Sequence, residues 1–161
     1  MDANLQRFKD AQSQRGSGFE SALAEMQSGR KRGHWIWYVF PQLAGLGQSA
    51  MSRTYGIDGI AEAEAYLRDP LLRRRLLTIA LAVAEQLRSG VSLESLMNSS
   101  IDATKLVSSM TLFGHVAKRL QAAERLDDCA SLARIADDVL AIADAQGYTP
   151  CAFTLGRLTR S

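Results

Sequence analysis

The chain is expected to fold as an all-α protein, and three features of the sequence carry that expectation. Only three prolines interrupt 161 residues. Ala, Leu, Arg, Glu and Gln, which lose little on entering a helix, recur throughout. Apolar residues return at three-four spacing in segment after segment, and no pair of alternating stretches stands ready to form a sheet. A composition of 47% hydrophobic and 22% charged residues is globular, which excludes disorder and fibrous repeats. The expected architecture is a single compact domain over residues 1–161, with about six to eight helices and no sheet.

Leu5, Phe8 and Ala11 mark a short first helix, which the Arg15-Gly16-Ser17-Gly18 stretch stops. Phe19, Ala22, Leu23 and Met26 mark a second, with Gly29 just past its end. The run His34-Trp35-Ile36-Trp37-Tyr38-Val39-Phe40 fits a buried strand or a packed helix by periodicity alone. Helix is preferred, because no second strand exists to satisfy its backbone. Pro41 ends or bends it, a glycine-containing loop covers residues 43–47, and a short helix through Met51 and Tyr55 meets Gly56.

A short Ala/Glu-rich helix reaches Leu67. Asp69-Pro70 then puts a capping carboxylate before a proline at the first helical position, so a long helix should run from about Leu71 to Leu87. Ser92 suits the cap of a short turn through Leu96, and residues 97–100 read as a polar loop. Asp102 is the expected cap of a helix that turns Leu106, Met110, Phe113 and Val116 inward. Asp127 or Asp128 opens a helix through Leu132, Ile135, Val139 and Ile142 that ends near Gly147, and a short C-terminal helix follows Thr149-Pro150.

Function classes narrow by exclusion. A net charge of +2 is far from the basic excess of a phosphate-dominated binder, so nucleic acid is not the expected partner. The Arg73-Arg74-Arg75 run spreads around a helix and makes no single stripe; its expected partners are Glu62, Glu64 and Asp69. The longest apolar runs fall far below the roughly 18 residues of a membrane span. The first residues lack the cationic-then-apolar order of a secretory signal, and Cys129 and Cys151 read as free thiols of a reducing compartment, so a cytoplasmic location is expected. Two widely separated histidines and two lone cysteines match no metal-ligand spacing, so neither a metal nor a cofactor is expected. A serine-nucleophile elbow is missing as well.

Two blocks concentrate chemistry. Residues 30–40 hold three cations, a histidine and four aromatics, including both tryptophans. In a functional reading, Arg30 and Lys31 draw an anion, Trp35, Trp37 and Tyr38 present aromatic surface to a planar ring, and His34 moves a proton. In a structural reading, the cations are a solvated helix end and the aromatics are core. The second block, Asp102 to Phe113, places hydroxyls inside an apolar helix. Ser108, Ser109 and Thr111 either bond back one turn or hold a neighbouring group, and Asp102 and Lys105 face each other across a turn.

Together, LQRFKDAQ, GRKRGHWIWYVFPQLAGLG, AEAYLRDPLLRRRL and DATKLVSSMTLF resemble an uncharacterised bacterial family, domain of unknown function 1810, over about residues 4–158. Its members often carry the label "calpastatin", but the chain has none of the extended repeats such an inhibitor needs. The resemblance implies a mainly helical fold and no established activity. It also marks departures: Asp69 where histidine is usual, Arg73 for glycine, Met97-Asn98 for a Phe-Gly pair, and Val107 for a common arginine.

The leading expectation is a binding or accessory module. It would hold a small anionic or nucleotide-like ligand, or a protein partner, between the aromatic block and the hydroxyl-bearing helix, with Arg30, Lys31, Trp35, Trp37, Tyr38, Asp102, Lys105, Ser108 and Thr111 as contacts. The alternatives are an enzyme using His34 as acid or base with Lys105 and Ser109 in support, and a purely structural protein in which both blocks are packing.

Overall fold

The structure, a computed structural model, describes residues 4–159. These form ten helices: α1 (Gln6–Gln12), α2 (Phe19–Ser28), α3 (Ile36–Val39), α4 (Ala50–Tyr55), α5 (Gly59–Arg68), α6 (Pro70–Arg88), α7 (Leu93–Met97), α8 (Ser100–Glu124), α9 (Asp127–Ala145) and α10 (Ala152–Thr159). The all-α expectation holds: among the described residues there is no strand, only one isolated parallel bridge between Leu43 and Ile57. The count of six to eight helices is corrected to ten. Segments as short as the four residues of α3 and the five of α7 close hydrogen-bonded turns of their own, and amphipathic periodicity is too weak over such lengths to separate a helix from a turn.

Local chemistry explains where the helices begin and end. Asp69 Oδ1 accepts from the N–H groups of Leu71 and Leu72 at 3.0 Å, with Pro70 in the first turn, as the sequence predicts. The cap of α8 is Ser99 rather than Asp102: its Oγ accepts from Asp102 N at 3.0 Å, which starts the helix earlier and leaves the Asp102 side chain free for another partner. Asn98 sits at φ 63°, a left-handed conformation that suits glycine best and asparagine next. The resemblance implies glycine here, and asparagine is a residue that tolerates the same conformation. The apolar run after His34 makes only the single turn of α3, because Phe40 precedes Pro41 and leaves the helical region at φ −122°, ψ 74°.

One contiguous buried cluster runs from Phe8 to Leu158. α8 is its centre, packed on α9, α5, α7 and α10, and α6 packs on α9 and α2. The arginine run is used differently from the expectation. Arg73 and Arg74 reach Asp128 at 3.4 and 3.7 Å, and Arg75 lies over Phe19 and donates to Gln12. Glu62, Glu64 and Asp69 instead meet Arg7, Arg119 and Lys9, which arrive from other helices. No helix among the described residues is long and apolar enough to cross a membrane.

Candidate functional site

The turn between α2 and α3 is organised by Glu25. Its Oε1 accepts from the N–H groups of Arg32 (2.7 Å) and Gly33 (2.9 Å) and from the indole of Trp35 (2.9 Å). Burial pushes this carboxyl up, but those three bonds and the charge of Lys31 outweigh it and hold it below the ordinary range. Glycine is required at Gly33, since a Cβ there would stand 2.9 Å from Trp35 Cδ1. Lys31 folds under the turn, 5% exposed, with its ammonium 4.9 Å from the Trp35 ring, 2.8 Å from Asp102 and bonded to the Gly33 carbonyl. The pairing of Asp102 with Lys105 gives way to this ion pair. Lys31, Trp35 and Asp102 therefore form a closed cluster in which every charge and the indole N–H have partners.

Tyr38 is buried too; its hydroxyl donates to the Ser17 carbonyl at 2.6 Å, and burial pushes its pKa up. Arg30 is exposed and donates to Asn98 at 2.8 Å, beside Glu94 and Ser95 in a separate polar cleft. His34 is exposed at the start of the aromatic block and does not belong to the lining of the clefts described next.

Lys105 has a different setting. It is half-buried, with its ammonium 4.8 Å from the Trp37 ring, and among the described residues no carboxylate lies within ion-pair distance of it. The Trp37 indole N–H is buried and has no partner there either. Lys105 lines a cleft of about 290 Å³ between the loop after α3 and the first turns of α8: Gln42 and Leu46 form one wall, and Ser100, Ile101, Thr104, Lys105 and Ser108 the other. The loop wall is fixed by backbone, with Ala44 N donating to Ile57 O and Ile57 N to Gln42 O, each at 2.9 Å. Ile101, 67% exposed, stands at the open side.

The α8 hydroxyls mostly bond back one turn: Thr104 to Ser100 O (2.9 Å), Ser108 to Thr104 O (3.1 Å) and Thr111 to Val107 O (2.7 Å). Thr111 also accepts from Cys151 N at 3.3 Å, tying the start of α10 to α8. Ser109 is fully buried, its hydroxyl without a partner among the described residues. Thr104 and Ser108 also line a second cleft of about 320 Å³, closed on its far side by Tyr148 to Ala152. Val107 lies in that wall, so the arginine common at this position would put a guanidinium there.

Of the residues singled out in the sequence, the structure thus brings Lys105 and Ser108 into one cleft, with Trp37 beneath Lys105. It takes Lys31, Trp35, Tyr38 and Thr111 into the interior, holds Asp102 half-buried against Lys31, and leaves Arg30 and His34 elsewhere. Gln42, Leu46, Ser100, Ile101 and Thr104 were missed. An isoleucine at the second position of a helix preceded by a polar loop was the available signal for Ile101.

Comparison with known proteins gives a family and no activity. No curated protein matches the chain. The conserved hypothetical protein Rv1873 from Mycobacterium tuberculosis, known from a crystal structure at 1.38 Å, is similar at 34% identity over 95% of this chain and 94% of that one, with a TM-score of 0.74. A family model described as "Protein of unknown function (DUF1810)" matches residues 2–132, and the chain belongs to that family.

Proposed function

We propose that the chain acts as a single-domain cytoplasmic binding or accessory module, and that the cleft between the loop after α3 and α8 holds a small anionic ligand with a planar or apolar part. Lys105 carries the proposal: a half-buried ammonium, fixed on an indole face in an open cleft, with no carboxylate partner among the described residues. An anion entering the cleft supplies the missing counter-charge where partial desolvation strengthens the attraction. Leu46 and Ile101 provide apolar contact, while Gln42, Ser100 and Thr104 provide hydrogen bonds for orientation. The dispersal of the arginine run among Asp128, Phe19 and Gln12 weighs against a nucleic-acid surface. With His34 exposed and outside this lining, binding is favoured over acid–base catalysis by that residue.

A thermal-shift panel of nucleotides, dinucleotides and sugar phosphates, repeated on Lys105→Ala, tests the reading, because a ligand of the native state raises stability by mass action. The expected result is a concentration-dependent shift that the variant loses. A shift undiminished in the variant, or none across the panel, overturns it; in the second case a protein partner becomes the next candidate.

A further inference from the structure

Thr104 and Ser108, one turn apart on α8, line both the cleft of Lys105 and the cleft closed by Tyr148 to Ala152. At about 3.6 residues per turn, Ile101 and Lys105 flank that stripe on one side and Val107 flanks it on the other. The outer walls of the two clefts are joined as well. The Phe153 ring of α10 packs on the loop after α3, where a Cβ added to Gly45 would stand 3.3 Å from it. At about 290 and 320 Å³, each cleft matches only the smallest of small-molecule sites, which run from about 300 to 1,000 Å³. Side by side they have room for one ligand that crosses the stripe.

The three parts of this groove differ in chemistry. Lys105 is the one charged side chain among the described residues lining the first cleft, so it matches one anionic group. On the stripe both hydroxyls have already donated, Thr104 to Ser100 O at 2.9 Å and Ser108 to Thr104 O at 3.1 Å. Their oxygens are left to accept, which favours a ligand part carrying O–H donors and disfavours an anionic oxygen there. None of the described side chains lining the second cleft is charged; Val107, Pro150 and Ala152 stand with the aromatic side chain of Tyr148. The end of α9 holds Tyr148 in place: Gly147 takes φ 93°, and Tyr148 N donates to Ala143 O at 2.9 Å. The other end of that wall is tied to α8 by the Cys151 N–H on Thr111.

We infer that one ligand occupies both clefts and that it is a nucleoside monophosphate. Its phosphate meets Lys105, its sugar hydroxyls donate to Thr104 and Ser108, and its base lies against Tyr148. The inference rests on the reading of Lys105 as an anion site and gives that site its ligand class. One phosphate answers the one cation, and a sugar is the connecting piece that brings donors to an acceptor stripe. Stacking on Tyr148 is open to any base, since every base has a π-face.

The test is calorimetric binding of adenosine monophosphate and ribose 5-phosphate to the full chain and to Lys105→Ala, Tyr148→Ala and Ala152→Phe. Ala152 is exposed, so the added ring narrows the second cleft without entering the core. The nucleotide should bind about tenfold or more tighter than the sugar phosphate, the gain that stacking on an aromatic side chain supplies. That gain should fall below about twofold in Tyr148→Ala and in Ala152→Phe, with the affinity for ribose 5-phosphate unchanged. Lys105→Ala should weaken both ligands by a similar factor. The dideoxy analogue of the nucleotide, which lacks the sugar donors, should bind more weakly; equal affinity overturns the role of the stripe. Equal binding of nucleotide and sugar phosphate by the parent chain, a gain that survives in both second-cleft variants, or binding of neither overturns the inference while the thermal-shift panel still decides the anion reading. Unchanged affinity for both ligands in Lys105→Ala overturns that reading and the inference with it.

Discussion

Two tryptophans each carry a lysine ammonium on the ring face, Lys31 at 4.9 Å over Trp35 and Lys105 at 4.8 Å over Trp37, and the two pairs are completed differently. Around Trp35, Asp102 binds the ammonium and Glu25 binds the indole N–H. Around Trp37, the described residues provide neither a carboxylate for the cation nor an acceptor for the indole, and a cleft opens alongside. The same two residue types thus build a brace in one place and an unsatisfied polar surface in the other. The difference lies in the third partner. A half-buried cation without one keeps the cost of its partial desolvation uncompensated, so the open pair is where a ligand gains most.

The largest expected effect comes from opening the closed pair. Asp102→Ala leaves the Lys31 ammonium buried without its carboxylate and should lower unfolding stability by about 3 kcal/mol, the low end for a broken buried pair because the Glu25 charge still reaches Lys31. Urea denaturation measures it. A loss under about 1 kcal/mol would mean that water reaches Lys31 and that the two pairs differ little. Glu25→Ala comes next. It makes Trp35 resemble Trp37 by removing the acceptor of the indole and of two turn N–H groups, for about 1–3 kcal/mol. Glu25→Gln, which keeps an acceptor, should lose less.

Acid sharpens the same contrast. Glu25, Glu62 and Asp69 all have carboxyls held below the ordinary range; burial opposes this in each, and bonds to backbone N–H groups, Trp35, Arg7 or Lys9 overcome it. A lowered carboxyl contributes stability that is complete above its unfolded value of about 4 and is lost as pH falls through the folded value. Unfolding midpoints should therefore be level near neutrality and fall below about pH 4, with a shallower fall in Glu25→Gln. A midpoint that rises on acidification would contradict the sign.

Much of the fold was legible because it rests on local chemistry. Asp69-Pro70, Gly29 and the three-four spacing of Leu106, Met110, Phe113 and Val116 state their helices within a few residues. The site was half legible. Residue types marked Lys31, Trp35, Trp37 and Lys105 one by one, but nothing local pairs each lysine with its tryptophan or says that Asp102 turns to Lys31 instead of Lys105, since that depends on how the α2–α3 turn docks on α8. The α3 and α4 segments read as short helices and α7 as a capped turn, so the count fell short in how many of these brief segments close as separate helices, which periodicity over four to six residues does not decide.

The smallest stability effect is expected at Lys105, and it separates the two pairs most cleanly. Lys105→Ala removes a half-buried cation–ring contact worth about 0.5–1 kcal/mol and leaves no buried charge behind, so its unfolding midpoint should stay close to that of the parent chain. Any anion identified by the thermal-shift panel should nevertheless lose its effect, and Trp37 emission should stop responding to it. Trp35 emission provides the control, since that ring is fully buried under Lys31 and bonded to Glu25. In Trp37→Phe, which leaves Trp35 as the sole tryptophan, ligand addition should therefore leave the spectrum unchanged. If Lys105→Ala instead costs as much as Asp102→Ala, Lys105 is a structural brace like Lys31, and the cleft beside it is a packing gap.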